Sequence, residues 1–307
     1  MIVNDQKKNL VIIFPVYNES AGIETFVNQL SAASYELTND LNVVLLAIEN
    51  GSSDNSMELL SKLKQIHTNL NIIKLTRNFG YEVAFECGLR EYDADLYCLI
   101  DSDGEDPVDL IKDYFQAIRQ GFKIAYGVRK LRNESRITVL LRQFFYRFLK
   151  LIADDPFRVD VGEFSMFTRQ VRDEIIRDVN SYPFWRSSIS RSGFNSKPFP
   201  HNRNPRISGK SKFRTMNMLS FAFIGILSTT TWPLRASIFV NFFTLLTGLL
   251  LICASYIFSF SINFQVLNYI ILSNLSISVV TIAMYVARTY KNGRNRPNYY
   301  IDEKFLN

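Results

Sequence analysis

The residues best able to do chemistry are Asp101 and Asp103, separated by Ser102 and followed by Gly104, Glu105, Asp106 and Pro107. They come directly after the apolar run Leu96 to Ile100, so a strand ends by presenting two carboxylates on a short turn. A continued strand would throw the two side chains to opposite faces, but Gly104 and Pro107 favour the turn. Oxygen ligands of this kind suit a hard divalent cation, and such a cation commonly holds a phosphate. Phosphate chemistry is therefore expected. A histidine-based zinc site is not, because His67 and His201 are the only histidines. Cys87, Cys98 and Cys253 form no close pair and read as reduced packing residues.

The elements that must position the carboxylates are visible in the first half of the chain. Leu10 to Phe14, Val43 to Ile48, Asn71 to Leu75, Leu96 to Ile100 and Lys123 to Tyr126 read as strands. Amphipathic stretches at Ala21 to Ala33, Asn55 to Gln65, Tyr81 to Glu91 and Asp109 to Arg119 alternate with them as helices. Such alternation implies βαβ units and a mostly parallel sheet, whose ligands bind beyond the carboxyl ends of the strands. Each polar cluster lies at such an end: Pro15-Val16-Tyr17-Asn18-Glu19, Glu49-Asn50-Gly51-Ser52-Ser53-Asp54, Arg77-Asn78-Phe79-Gly80 and the Asp101 turn. One cleft can collect all four. Ser52 to Asp54 would equally serve as a helix cap, leaving Glu49 or Asn50 to meet a nucleotide.

The second half differs. A basic and aromatic helix is expected from Ile137 to Ile152. No charged residue occurs between Arg235 and Arg288, and there Ala236 to Phe258 and Leu267 to Ala287 can each cross a hydrocarbon core of roughly 30 Å. Lys210, Lys212, Arg214 and Arg235 precede the first span, while Arg288, Lys291, Arg294 and Arg296 follow the second. Both flanks are expected in the cytosol, with Ser259 to Gln265 as an outer loop. Met1 to Leu10 carries no apolar core, so no cleaved signal peptide is expected. The formal charge is +6, and no acidic residue appears between Asp178 and Asp302. Basic residues just ahead of two spans suit anionic headgroups or a phosphorylated ligand at the bilayer surface, rather than nucleic acid.

In order, the clusters above, together with Asp106-Pro107 and Tyr126-Gly127-Val128-Arg129, resemble the family 2 glycosyltransferases of the GT-A fold. Val161-Gly162-Glu163-Phe164, Arg206 with Gly209-Lys210-Ser211-Lys212-Phe213, the two spans and Arg296-Pro297-Asn298-Tyr299 resemble one branch of it, the polyprenyl-phosphate glycosyltransferases. The resemblance runs from about Val11 to Tyr300. It implies that Pro15, Tyr17 and Glu19 line the nucleotide pocket, with Arg77 on the same rim. Glu49 stands where an Asp meets the base, with Asn50 beside it. Asp101 and Asp103 are implied to hold ribose and metal-bound diphosphate, and Glu105 to lie near the metal, Mg2+ or Mn2+. Arg129, Arg206 and Lys212 match basic positions near the phosphates, and Glu163 an acidic position near the reacting centre. The chain departs from the family in Glu49-Asn50 for two aspartates, Ser102-Asp103-Gly104-Glu105 for Ala-Asp-Leu-Gln, and Glu163 for Asp.

The expected architecture is an α/β GT-A Rossmann-like domain over 1–213, an interfacial segment over 214–235, two transmembrane helices within 236–287, and a cytosolic tail over 288–307. The expected activity is metal-dependent, inverting transfer of one sugar from a UDP- or GDP-sugar to a polyprenyl phosphate, at a bacterial inner membrane. A lipid monophosphate, with a second pKa of about 6, is already ionised at neutral pH, so no strong general base is required. Glu163 is then expected to position the acceptor or balance charge. Two spans are too few for a polymer channel, and a homo-oligomer stays open. A transferase acting on a glycan or glycolipid, or a catalytically weak nucleotide-binding partner protein, are the competing readings.

Overall fold

The computed structural model of the chain describes residues 7–130, 147, 151–152, 154, 162–177, 183–207, 230–259, 263–294 and 296–307. Strand β1 (Lys8–Val16) is buried from Leu10 onward because both of its faces are covered. Leu10, Ile12 and Phe14 share a core with Phe26 and Leu30 of helix α1 (Ile23–Tyr35), Leu60 of α2 (Ser56–Ile66), and Ile111 and Phe115 of α4 (Leu110–Arg119). Val11 and Ile13 face the other side, with Ala84, Phe85 and Leu89 of α3 (Tyr81–Glu91). A strand sandwiched in this way needs a near-continuous apolar run, which Leu10 to Phe14 supplies.

Strands β2 (Leu41–Glu49), β3 (Leu70–Leu75) and β4 (Leu96–Leu99) join β1 in parallel. The chain runs outward from β1 through β2 to β3, then returns to the far side of β1 for β4. The carboxyl ends of β1 and β4 therefore flank a topological switch point, where ligands of open α/β sheets bind. Beyond β4 lie β6 (Ser165–Thr168), antiparallel to both β4 and β5 (Ile124–Arg129), and β7 (Ser196–His201), parallel to β5. Short helices α5 (Arg169–Ile175) and α6 (Trp185–Arg191) cover the α3 face.

Helices α7 (Trp232–Phe258) and α8 (Phe264–Gly293) are long and apolar enough to cross a membrane, with mean hydropathies of 2.2 and 2.0. Two polar contacts join them: Asn241 Nδ2 donates to Ser278 Oγ and Asn274 Nδ2 to Thr244 Oγ1, each at 2.6 Å. Strand β8 (Ile301–Phe305) then pairs antiparallel with β3, completing the order β7-β5-β6-β4-β1-β2-β3-β8.

The five strands and four helices expected in the first half are all present, with ends shifted by a few residues. Residues 301–305 instead belong to the main sheet, although 288–307 reads as a tail. Of the interfacial segment expected over 214–235, residues 214–229 lie outside the described residues and 232–235 already belong to α7; most of the helix expected at Ile137 to Ile152 and Lys210, Lys212 and Arg214 also lie outside the described residues.

Candidate active site

The first two strand-end loops are stitched together. Asn18 N donates to Ser52 Oγ at 3.0 Å, Glu19 N to Ser56 Oγ at 2.9 Å and Ser20 N to Asp54 Oδ2 at 3.1 Å. In return Asn18 Oδ1 accepts from Ser53 N at 2.7 Å. Burial opposes ionisation of Asp54, but its bonds to Ser56 and Ser20 prevail and lower its pKa to about 2. Ser52 to Ser56 thus hold the Tyr17 to Ser20 loop in place. Gly51 allows the next loop to approach: at φ +67°, a Cβ there would lie 2.4 Å from the Arg77 carbonyl carbon.

Glu49 and Asn50 are buried in this stitching. Glu49 accepts from Ser52 N at 2.6 Å and Gly51 N at 3.3 Å. Asn50 accepts from Phe79 N at 3.0 Å and donates to Gly80 O at 3.2 Å. Arg77 stays exposed, its guanidinium 4.1 Å above the Phe79 ring. Pro15 is buried at the end of β1, where its carbonyl accepts from Ser102 Oγ at 2.7 Å and fixes the carboxylate turn. Tyr17 and Glu19 are half-buried on the adjoining loop.

Around that turn the charges form two groups. In the first, Arg129 Nη2 lies 3.1 Å from Asp106, 3.6 Å from Asp101 and 3.8 Å from Glu163. Burial alone would lower the Arg129 pKa, but Asp106, Glu163 and Asp101 raise it, keeping the guanidinium charged. Asp106 is fully buried and also faces His201 Nε2 at 3.1 Å. Burial works against its charge, yet His201 and Arg129 hold its carboxyl below the ordinary value. Glu163 reaches a second guanidinium, Arg186 Nη2, at 2.9 Å. Gly162 makes this approach feasible: its N–H donates to Gly127 O at 3.0 Å, and a Cβ would sit 2.5 Å from that oxygen. Asp101 accepts from Tyr81 Oη. Burial, then Glu163 and Asp106, raise its pKa to about 8.

In the second group Asp103 accepts from Arg206 Nη2 at 2.6 Å, and Glu105 pairs with Arg203. Asn204 N and Ile207 N donate to the carbonyls of Glu105 and Asp103 at 2.8 and 3.1 Å, so the segment after β7 lies against the turn.

These oxygen donors fit a hard divalent ion. Among the described residues no three Asp, Glu, His or Cys side chains converge on one point. Mg2+, however, is commonly held by one or two carboxylates plus substrate phosphates rather than a protein cage. Asp101 supplies the observation that favours an ion, since its charge is poorly compensated within the chain.

The structure thus brings Asp101, Asp103, Glu105, Arg129, Glu163 and Arg206 together. Tyr81, Asp106, Arg186, His201 and Arg203 join them without having been singled out as site residues. Arg186 and Arg203 lay unranked within the basic stretch, Asp106 within a turn motif, and Tyr81 directly after the Arg77-Asn78-Phe79-Gly80 cluster. His201 gave no signal. Lys212 is outside the described residues.

The glycosyl transferase family 2 pattern matches residues 11–176, more than half of the 307-residue chain. The chain belongs to glycosyl transferase family 2, and its sheet is mixed and mostly parallel. It is 27% identical over 303 residues to the uncharacterized glycosyltransferase YkcC of Bacillus subtilis (strain 168), covering 96% of this chain and 93% of that one. It is 24% identical over 302 residues to the bactoprenol glucosyl transferase of Shigella phage SfX, covering 95% and 98%. The mannosyltransferase PcManGT of Pyrobaculum calidifontis, solved with GDP-Man and Mn2+, aligns with a TM-score of 0.47 at 15% identity, covering 92% of this chain and 76% of that one. The protein is a glycosyltransferase.

Proposed function

We propose that the chain transfers a single sugar, with inversion, from a UDP- or GDP-sugar to a polyprenyl phosphate such as undecaprenyl phosphate, using Mg2+ or Mn2+. The observation that carries this reading is the placement of two guanidinium groups on either side of one carboxylate turn at the sheet's switch point. Arg203 and Arg206 lie on the Asp103 and Glu105 side. Arg129 and Arg186 lie on the Glu163 side. The reaction needs two anion sites, one for the departing diphosphate and one for the incoming monophosphate, and guanidiniums bind both by charge-assisted bonds.

In this reading Asp101 and Asp103 hold the cation, with Glu105 nearby; when bound, it neutralises charge developing on the diphosphate. Arg206 and Arg203, released from their carboxylates, receive the diphosphate oxygens. Arg129 and Arg186 orient the acceptor phosphate. Glu163 lies between those two guanidiniums, which suits a residue that positions the acceptor better than one that removes a proton. The acceptor is already ionised, so attack opposite the leaving diphosphate requires no enzyme nucleophile.

Helices α7 and α8 supply the membrane hairpin of this reading, and the bactoprenol glucosyl transferase relatives support a lipid acceptor. The catalytic domain, 1–213, then faces the cytosol at a bacterial inner membrane, with 214–235 at the interface. Formation of labelled lipid-linked sugar by membranes holding the chain tests the activity. Asp103→Ala should abolish it, and unchanged product in that variant would overturn the metal assignment. Equal transfer to a phosphate-free acceptor would favour a glycan or glycolipid instead.

A further inference from the structure

The Arg296-Pro297-Asn298-Tyr299 run takes no part in the chemistry above, yet it lies where the chain leaves α8. Asn298 Nδ2 donates to Glu86 Oε2 and Tyr299 Oη to Glu91 Oε1, each at 2.7 Å, so two successive residues grip α3. Lys304 of β8 takes the other Glu91 oxygen at 2.8 Å. Beside these anchors Tyr300 O accepts from Thr76 N at 3.0 Å. The Tyr300 ring packs on Phe79, with centroids 6.1 Å apart.

Phe79 belongs to the site. It carries the Arg77 guanidinium on its face, its N–H is held by Asn50, and two residues later Tyr81 donates to Asp101. The loop over residues 77–81 is thus held from the cleft by Asn50 and Asp101, and from behind by the strand returning from the second apolar helix. Tyr300 is more than half exposed, so its ring adds little to any core and its effect falls on Phe79.

We propose that Tyr300, anchored by Asn298 and Tyr299, is a positioning residue that sets the 77–81 loop for the donor nucleotide and ties it to helix α8. The proposal rests on the donor assignment above, so its test reads the loop both with and without activity. Hydrogen exchange on the full chain in lipid nanodiscs compares the wild type with Tyr300→Ala and Tyr300→Phe. Tyr300→Ala should speed exchange over residues 76–82 while leaving β1 unchanged, and Tyr300→Phe, which keeps the ring, should match the wild type.

In transfer assays Tyr300→Ala should raise the KM for nucleotide sugar roughly two- to tenfold, the cost of ordering a freed loop side chain on binding. The KM for polyprenyl phosphate and kcat should stay unchanged. Unaltered exchange over 76–82 overturns the proposal, as does faster exchange with both KM values intact. Lower thermal stability with neither change marks Tyr300 as structural only and also overturns it. Should the wild type transfer no sugar, the exchange data still decide whether Tyr300 holds the loop, and the donor assignment fails separately.

Discussion

Replacing Asp101 by Asn should abolish transfer and at the same time stabilise the protein at alkaline pH. Asn keeps the shape and can still accept from Tyr81, but it carries no charge. In the unfolded chain the Asp101 carboxyl ionises near 3.8, whereas in the folded chain burial, Glu163 and Asp106 raise its pKa to about 8. Between those values the folded state binds the extra proton, so stability falls as pH rises through that window and is lowest above it. Each pH unit is worth about 1.4 kcal/mol, and the four-unit window sets a ceiling of about 6 kcal/mol. Loss of the Arg129 contact at 3.6 Å, and relaxation of the buried carboxylate in the folded wild type, reduce the net gain to about 1–3 kcal/mol. A gain of that size raises Tm by roughly 1.5–5 °C in a protein of this length. Thermal unfolding of the full chain in detergent, followed by intrinsic fluorescence from pH 4 to 9, measures it. The Tm difference between Asp101→Asn and wild type should vanish near pH 4 and widen towards pH 8. Added Mn2+ should raise the wild-type Tm more than that of the variant. A variant no more stable than wild type at pH 8.5, or a difference independent of pH, would refute the reasoning.

The charge groups yield two further expectations. Arg129→Lys keeps the charge but gives up the planar fork that faces Asp106, Asp101 and Glu163, so kcat/KM should fall roughly 10- to 100-fold in transfer assays. Glu82 is raised to about 8 by burial and Glu163, and its carboxylate accepts from Trp185 N at 3.1 Å. Glu82→Gln should therefore keep activity and lose less stability between pH 5 and 8, whereas Glu82→Ala should release the α6 start, displace Arg186 and lower kcat; equal kcat in both variants would disprove that link.

The first half of the fold was legible because it obeys local rules. The run Leu10 to Phe14 is apolar on both faces, α1, α2 and α4 each bury one stripe, and α3 is buried along most of its length. Strand β7 was not legible: Pro198 and Pro200 argue against a strand and are tolerated here only because β7 lies at the sheet edge. Nor was β8, five residues with apolar ends whose partner β3 is more than two hundred positions away. In the site, Asp101 and Asp103 could be found because a strand end and a turn announce them. The Tyr81 and His201 contacts could not, since they depend on α3 and β7 arriving at the same turn from distant parts of the chain.

The Glu49-Asn50 pair, the clearest departure from the family pattern, has a structural explanation that weighs against a catalytically weak protein. Asn50 faces an N–H donor from Phe79 on one side and two acceptors, Gly80 O and Asn78 Oδ1, on the other. An amide satisfies both kinds of neighbour, while a carboxylate would set like charges against the two acceptors. Glu49 folds back on the Gly51 and Ser52 N–H groups, so its longer side chain serves the same loop. The two residues are thus matched to an intact rim. Asn50→Asp, which restores the residue type usual in the family, should cost about 1–3 kcal/mol through unmatched buried groups. It should also expose the chain near Arg77 to limited proteolysis. Wild-type resistance to proteolysis in that variant would show that the pair is not what holds the rim closed.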